Sequence, residues 1–138
     1  INIHRDPVES IGSCCSLTKN VRLGFSKSVN KNSIGEMVLD FWKHKTYKGM
    51  LDKENLHSNQ IANIRYSQFI NNPISSIKEA YIKLGLDMDM KTENNMERYL
   101  VNQKNLKKEK HAYALEEFGL TSEIVQDSFK KYIETKPF

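Results

Sequence analysis

The opening stretch "INIHRDPVESIGSCC", residues 1–15, decides the fold of this chain. Apolar residues alternate at Ile1 and Ile3, which is typical of a strand, and Asp6 followed by proline is a strong signal for the start of a helix. The stretch therefore predicts a strand that passes directly into a helix, with Arg5 at the junction.

The tripeptide of His4, Arg5 and Asp6 also matches the catalytic loop of protein kinases. That loop requires an Asn five residues after the Asp to bind magnesium, and Ile11 stands there instead. A helix beginning at Pro7 also conflicts with the extended loop that a kinase needs. We therefore reject the kinase interpretation.

An anion site fits the same stretch better. A strand that ends in Arg and turns into a helix places a guanidinium beside the backbone N–H groups of the first helical turn, and both attract an anion. A hydrogen bond to a charged group contributes about 1.5–3 kcal/mol, against about 0.3–1 kcal/mol for the helix terminus, so Arg5 would dominate such a site.

Composition indicates a globular protein outside the membrane. The 138 residues are 38% hydrophobic and 28% charged, with a net charge of +4, and no window approaches the roughly 20 apolar residues of a membrane span. Cys14 and Cys15 are adjacent and lack spaced partners, so we expect neither a disulfide framework nor a metal site, and we predict a cytoplasmic protein. The length fits a single domain over residues 1–138.

The next part of the chain predicts a loop and then a long helix. The stretch "LTKNVRLGFSKSVNKN", residues 17–32, has no clear period and is interpreted as a connecting loop. Ser33 with Glu36 forms a capping box for a helix that reaches about Leu51. This helix is predicted to bury a face made of Ile34, Met37, Val38, Phe41, Trp42, His44 and Tyr47.

A second strand and further helices follow. "IANIRY", residues 61–66, alternates like a strand, and Asn72 then caps a helix that Gly85 ends. Thr92 and Thr121 are expected to cap two more helices. Strands separated by helices are usually parallel, so the pattern predicts a predominantly helical α/β fold with about two parallel strands.

Several stretches resemble sulfotransferases that use 3′-phosphoadenosine 5′-phosphosulfate, chiefly those of bacteria. "HRDPVESIGSCCSL" is similar to the segment of that family that binds the 3′-phosphate of the donor, in which a Ser follows a strand-end Arg by eight residues, as Ser13 follows Arg5. The resemblance extends, in order, through "IRYSQFINNP", "YIKLGL", "MERYLVNQ" and "KHAYALEEFGL".

The resemblance implies a fold and a reaction. The fold would be the carboxyl-terminal part of an α/β domain related to P-loop nucleotide-binding proteins. The reaction would transfer a sulfuryl group from 3′-phosphoadenosine 5′-phosphosulfate to a hydroxyl or amine acceptor of unknown class, without a metal. Arg5 and Ser13 would bind the 3′-phosphate of the donor.

The resemblance also implies that the chain is a fragment. In this family the loop that binds the 5′-phosphosulfate precedes the strand that opens this chain, and so does the usual catalytic base. We therefore expect both upstream of Ile1 and assign no catalytic residue. A sheet remnant would expose strand edges, so a homodimer through those edges is possible.

A lysine-rich segment, "KNLKKEKHAY", residues 104–113, allows two interpretations. The resemblance implies a flap whose Lys110 and His111 contact the 3′-phosphate of the donor. The alternative is a non-catalytic basic helical module that binds RNA or a partner protein through the lysines, although a net charge of +4 makes nucleic acid a weak expectation.

Overall fold

The structure is a computed structural model that describes residues 1–104 and 114–135. These residues divide into two compact units, which are described separately. The first contains residues 1–4 and 56–104, and the second contains residues 5–55 and 114–135.

The first unit is a two-stranded parallel sheet with three helices. Its elements are β1 (Asn2–His4), β2 (Asn63–Arg65), α3 (Tyr66–Asn71), α4 (Pro73–Lys83) and α5 (Met90–Lys104). Ile3 pairs with Ile64 in a parallel register, which confirms the predicted strand direction. A small core holds the unit together, and it consists of Ala62, Ile64 and Ala80 with Phe69, Ile77 and Leu84 packed against them.

A side-chain contact joins the two strands. His4 is buried, and its Nε2 lies 2.8 Å from Oδ1 of Asn63 on the neighbouring strand. On β1 and just before it, Ile1 and Ile3 are 55% and 45% exposed. The homodimer through strand edges stays a prediction.

The helix ends of this unit follow local capping chemistry. Gly85 has φ +67° and ends α4, as the sequence predicts, since glycine adopts this left-handed conformation without strain. At the start of α5, Asp89 Oδ1 accepts a hydrogen bond from the backbone N of Thr92 at 2.7 Å. The prediction that Thr92 caps this helix is therefore wrong, because the helix begins earlier, at Met90.

The second unit is a helical cluster. Its elements are α1 (Pro7–Leu23), α2 (Lys31–Glu54), a 3₁₀ helix (Leu115–Phe118), α6 (Ser122–Ser128) and α7 (Lys130–Glu134). One apolar core lies among them, and its buried residues are Ile11, Cys15, Ile34, Val38, Leu115, Phe118, Leu120, Val125 and Phe129. The Thr121 side chain caps α6, as predicted, by accepting from the Ile124 backbone N at 3.3 Å.

The predicted loop over residues 17–32 is wrong in its first half. Helix α1 continues to Leu23, and the connection to α2 is only residues 24–30. Helix α2 begins at Lys31, and Asn30 caps it: the Asn30 side chain accepts a hydrogen bond from the backbone N of Ser33 at 3.1 Å. Asn30 therefore replaces the predicted capping box as the N-cap, because the helix begins before Ser33.

The predicted apolar face of α2 is buried only along its first half. Ile34 and Val38 are buried, whereas Phe41 and Trp42 are 51% and 43% exposed and His44 is exposed as well. The prediction of a buried His44 and of core aromatic residues is wrong at these positions. Helical spacing places them near the core-facing side of α2, but the described part of the second unit does not cover that part of the helix.

Candidate functional site

The start of α1 is fixed by its own first residues. Asp6 Oδ1 accepts a hydrogen bond from the backbone N of Val8 at 2.7 Å, and Pro7, whose φ suits a helix, occupies the first turn. The Ser10 hydroxyl donates to the backbone oxygen of Asp6 at 2.9 Å. These bonds set where the helix begins and so fix the backbone next to Arg5.

Arg5 forms an ion pair with the first turn of the helix. Its Nε donates to Oε2 of Glu9 at 3.1 Å, and the two side chains are 37% and 62% exposed. This pair was not predicted from the sequence, although opposite charges four residues apart are a signal for an ion pair within a helix and Arg5 stands just before one. One of the two predicted phosphate ligands therefore has an acidic partner in the structure.

Glu9 and Ser13 lie on the same face of α1. They are four residues apart in one helix, so their side chains stand one turn above the other, about 6 Å apart along the axis. The hydrogen bond from Arg5 to Glu9 places the guanidinium at the foot of this face. Ser13 is half-buried. We call Arg5, Glu9 and Ser13 the α1 row.

The backbone at this helix start offers an anion fewer N–H donors than the sequence suggests. Pro7 has no N–H group, and the N–H of Val8 already donates to Asp6. The Glu9 carboxylate also lies 3.1 Å from Arg5 Nε. An anion at this position would therefore be attracted chiefly by Arg5, against repulsion from Glu9.

The two cysteines adjoin the α1 row without being reactive. Burial raises the pKa of the Cys14 thiol, although a hydrogen bond from the Trp42 indole and the charge of Arg5 act in the opposite direction. Burial and the neighbouring Cys14 raise the pKa of Cys15 to about 11. Both are therefore thiols at neutral pH, and neither is a candidate nucleophile.

A second charged cluster joins the 3₁₀ helix to α1 and α2. Glu117 Oε2 lies 3.0 Å from Lys31 Nζ and 3.7 Å from Lys19 Nζ. The hydrogen bond and the charge of Lys31, with the charge of Lys19, lower the pKa of this carboxyl. Glu117 thus anchors the segment that follows the lysine-rich stretch.

The remaining predicted ligands lie outside the described residues. Lys110 and His111 belong to residues 105–113, which the structure does not describe, so their predicted contact with a 3′-phosphate stays a prediction.

Over residues 1–104 and 114–135, no group of three or more His, Cys, Asp or Glu side chains lies close enough to hold a metal ion. None of the helices in those ranges combines the length and the apolar character that crossing a bilayer requires.

Two solved structures are similar to this chain in fold. One is the sulfotransferase STF9 from Mycobacterium avium, with a TM-score of 0.78 and 22% identity over 96% of this chain and 35% of that protein. The other is the sulfotransferase STF1 from Mycobacterium tuberculosis H37Rv, with a TM-score of 0.76 and 24% identity over 94% of this chain and 33% of that protein. The chain thus spans about a third of each.

These likenesses confirm the predicted fold class, a predominantly helical α/β arrangement with two parallel strands that matches part of a sulfotransferase. No curated protein sequence matches the chain. The model of the sulfotransferase family matches residues 1–90, a stretch that contains the α1 row and both strands. Since this match covers more than half of the sequence, the chain belongs to the sulfotransferase family.

Proposed function

We propose that this chain supplies the 3′-phosphate-binding part of a sulfotransferase that uses 3′-phosphoadenosine 5′-phosphosulfate. The observation that carries the proposal is the position of Arg5 between β1 and α1, at the foot of the helix face that holds Ser13, in a chain that the sulfotransferase family model matches. The complete enzyme would transfer the sulfuryl group to a hydroxyl or amine of an acceptor.

Arg5 would be the main ligand of the 3′-phosphate. A charge-assisted hydrogen bond contributes about 1.5–3 kcal/mol, whereas a neutral one, such as Ser13 would donate, contributes about 0.5–1.5 kcal/mol. Arginine also suits this role by chemistry, because its planar guanidinium presents paired N–H groups to phosphate oxygens.

Further cations would strengthen binding of the 3′-phosphate. Glu9 pairs with Arg5, and a phosphate monoester brings up to two negative charges. Lys110 and His111, which the resemblance to the family implies as ligands, would supply positive charge.

The sulfuryl transfer itself breaks the bond between sulfur and the bridging oxygen of the donor and forms a bond from sulfur to the acceptor oxygen or nitrogen. Adenosine 3′,5′-bisphosphate leaves as the second product with the electron pair of the broken bond, and the proton of the acceptor is released to a base or to water. The proposed part of Arg5 and Ser13 is to hold the nucleotide end still while this exchange occurs. We assign no catalytic base among the described residues.

Calorimetric titration with adenosine 3′,5′-bisphosphate tests the proposal, on this chain and on a full-length sulfotransferase that contains it. Arg5→Ala should weaken binding about 10- to 150-fold, and Ser13→Ala about 2- to 12-fold, as the hydrogen-bond energies imply. Arg98→Ala, which removes an exposed arginine from α5, is the matched control and should leave binding unchanged.

Two results would contradict the proposal. One is a full-length protein that does not bind adenosine 3′,5′-bisphosphate. The other is binding that Arg5→Ala and Arg98→Ala weaken equally. Binding of RNA that falls steeply as the salt concentration rises, and that Arg5→Ala does not change, would instead favour the basic module that binds nucleic acid.

A further inference from the structure

The contact between Arg5 and Glu9 engages a particular edge of the guanidinium. Glu9 accepts from Nε at 3.1 Å, and this nitrogen lies at the base of the guanidinium fork. An arginine carries five N–H donors, and phosphate groups are bound by pairs of them. The edge formed by the two terminal nitrogens is geometrically distinct from the nitrogen that contacts Glu9.

We propose that Glu9 is a positioning residue, which orients the Arg5 guanidinium so that its terminal nitrogens meet the 3′-phosphate of a nucleotide. The inference rests on the proposed function, since it assigns a role toward the same ligand. Glu9 itself does not touch the nucleotide; it acts through Arg5.

The placement of Glu9 on a rigid element supports this role. Glu9 belongs to the first turn of α1, where the helix dipole favours a carboxylate, and Asp6 with Pro7 fixes that turn. Because Glu9 and Ser13 share one face of the helix, the bond to Glu9 holds the guanidinium on the side of α1 where Ser13 lies. The two proposed phosphate ligands are thereby kept on one side.

A free arginine side chain samples many rotamers, and fixing it on binding costs entropy. An ion pair formed before the ligand arrives removes part of this cost. The opposing effect is repulsion between the Glu9 carboxylate and the phosphate. Both side chains of the pair are substantially exposed, at 37% and 62%, so water and salt weaken that repulsion. We expect the gain in orientation to exceed this weakened repulsion.

Titration with adenosine 3′,5′-bisphosphate, on the full-length protein, tests the proposal through two variants of Glu9. Glu9→Ala removes the acceptor and should weaken binding about three- to tenfold. Glu9→Gln keeps an amide oxygen that accepts from Nε, and its affinity should stay within about twofold of the wild type. Glu97→Ala, at an exposed position of α5, removes the same charge and should change nothing.

Adenosine 5′-monophosphate, which lacks the 3′-phosphate, separates positioning from a general structural effect. Its affinity should be equal in the wild type and in Glu9→Ala. Glu9→Ala should also add no loss of affinity when Arg5 is already alanine, because the role of Glu9 depends on the guanidinium. Thermal unfolding of each variant checks that the fold persists, and Glu9→Leu, which also removes the acceptor, replaces Glu9→Ala if that variant does not fold.

The outcomes distinguish the two proposals. Tighter binding in both Glu9 variants would make Glu9 a competitor of the phosphate and overturn the positioning role, and unchanged binding in both would overturn it as well. In either case a large loss in Arg5→Ala would leave the proposed function standing. If Arg5→Ala leaves the affinity for adenosine 3′,5′-bisphosphate unchanged, both the proposed function and the role of Glu9 are overturned.

Discussion

Gly35 packs directly against the backbone of Phe118. A Cβ placed on Gly35 would lie 2.1 Å from the carbonyl oxygen of Phe118, a separation that real side chains do not reach. Helix α2 and the 3₁₀ helix therefore approach each other more closely than any residue other than glycine allows. The contact brings Phe118 into the same core as Ile34.

Gly35→Ala should destabilise the second unit. The methyl group meets backbone, which cannot rotate away, so α2 and the 3₁₀ helix must separate at a cost of about 1–3 kcal/mol. Urea unfolding followed by the fluorescence of Trp42, the single tryptophan, measures the change. Gly49→Ala in the same helix is the control: its Cβ meets nothing within 4 Å, so the variant should be more stable by about 0.4–1 kcal/mol. Equal effects at the two positions would contradict this packing.

Gly85→Ala should cost about 1–2 kcal/mol for a different reason. No atom lies within 4 Å of the added Cβ, so only the left-handed backbone, at φ +67°, opposes the substitution. Gly85→Asn should cost less, because asparagine tolerates this conformation. Denaturant unfolding followed by circular dichroism compares the two, and a larger loss in the asparagine variant would exclude a backbone origin.

Cys15 should make the protein less stable at alkaline pH. Its pKa is raised from 9.0 to about 11 by burial, so between these values the unfolded chain ionises and the folded protein does not. The unfolding free energy then falls as pH rises from 9 to 11, by up to about 1.4 kcal/mol per pH unit, and the contribution is fully present below pH 9. Urea unfolding at several pH values measures this, with Cys15→Ala as the reference that lacks the thiol. Parallel pH curves for the two proteins would refute the prediction.

Tyr47 ties α2 to α6 through one hydrogen bond. Its hydroxyl donates to the backbone oxygen of Ser128 at 3.0 Å, so Tyr47→Phe should lower the unfolding free energy by about 0.5–1.5 kcal/mol. Tyr99→Phe removes the same hydroxyl from a side chain that is 62% exposed and should stay within about 0.5 kcal/mol of the wild type. The midpoints of urea unfolding of the two variants measure the difference. A larger loss of stability in Tyr99→Phe than in Tyr47→Phe would contradict the predicted contribution of this hydrogen bond.

Much of the fold was predictable because its signals are local. Asp6, Gly85 and Thr121 mark helix ends by their own chemistry, and each acts in the structure as the sequence predicts. The alternation around Ile64 likewise predicts β2, since one face of this strand is buried. These residues act on neighbours within a few positions, which is why a sequence reveals them.

The second half of α1 was missed for a physical reason. Its apolar residues Leu17, Val21 and Leu23 are 65%, 55% and 44% exposed, so this part of the helix buries no apolar stripe. Prediction from hydrophobic period depends on such a stripe. Backbone hydrogen bonds extend the helix here, together with polar contacts such as that of Lys19 with Glu117, and neither produces an apolar period in the sequence.

The site was predictable in part. The resemblance to the sulfotransferase family led to Arg5 and Ser13 as candidate ligands, and their role stays a prediction. The ion pair of Arg5 with Glu9 depends on which side-chain rotamers the helix start selects. The exposure of Phe41 and Trp42 was unpredictable for another reason: helical spacing indicates which side a residue faces, and says nothing about whether another element covers that side.

The register of the small sheet bears on the order in which the chain folds. Ile3 and Ile64 are neighbours across the two strands but 61 residues apart in sequence, with α1 and α2 between them. Closing so long a loop costs conformational entropy, and the strand pairing that results contains only three residue pairs. We expect helical turns to form well before the strands meet, so in a refolding experiment pulse-labelled amide protons of α1 and α2 should gain protection ahead of those of β1 and β2.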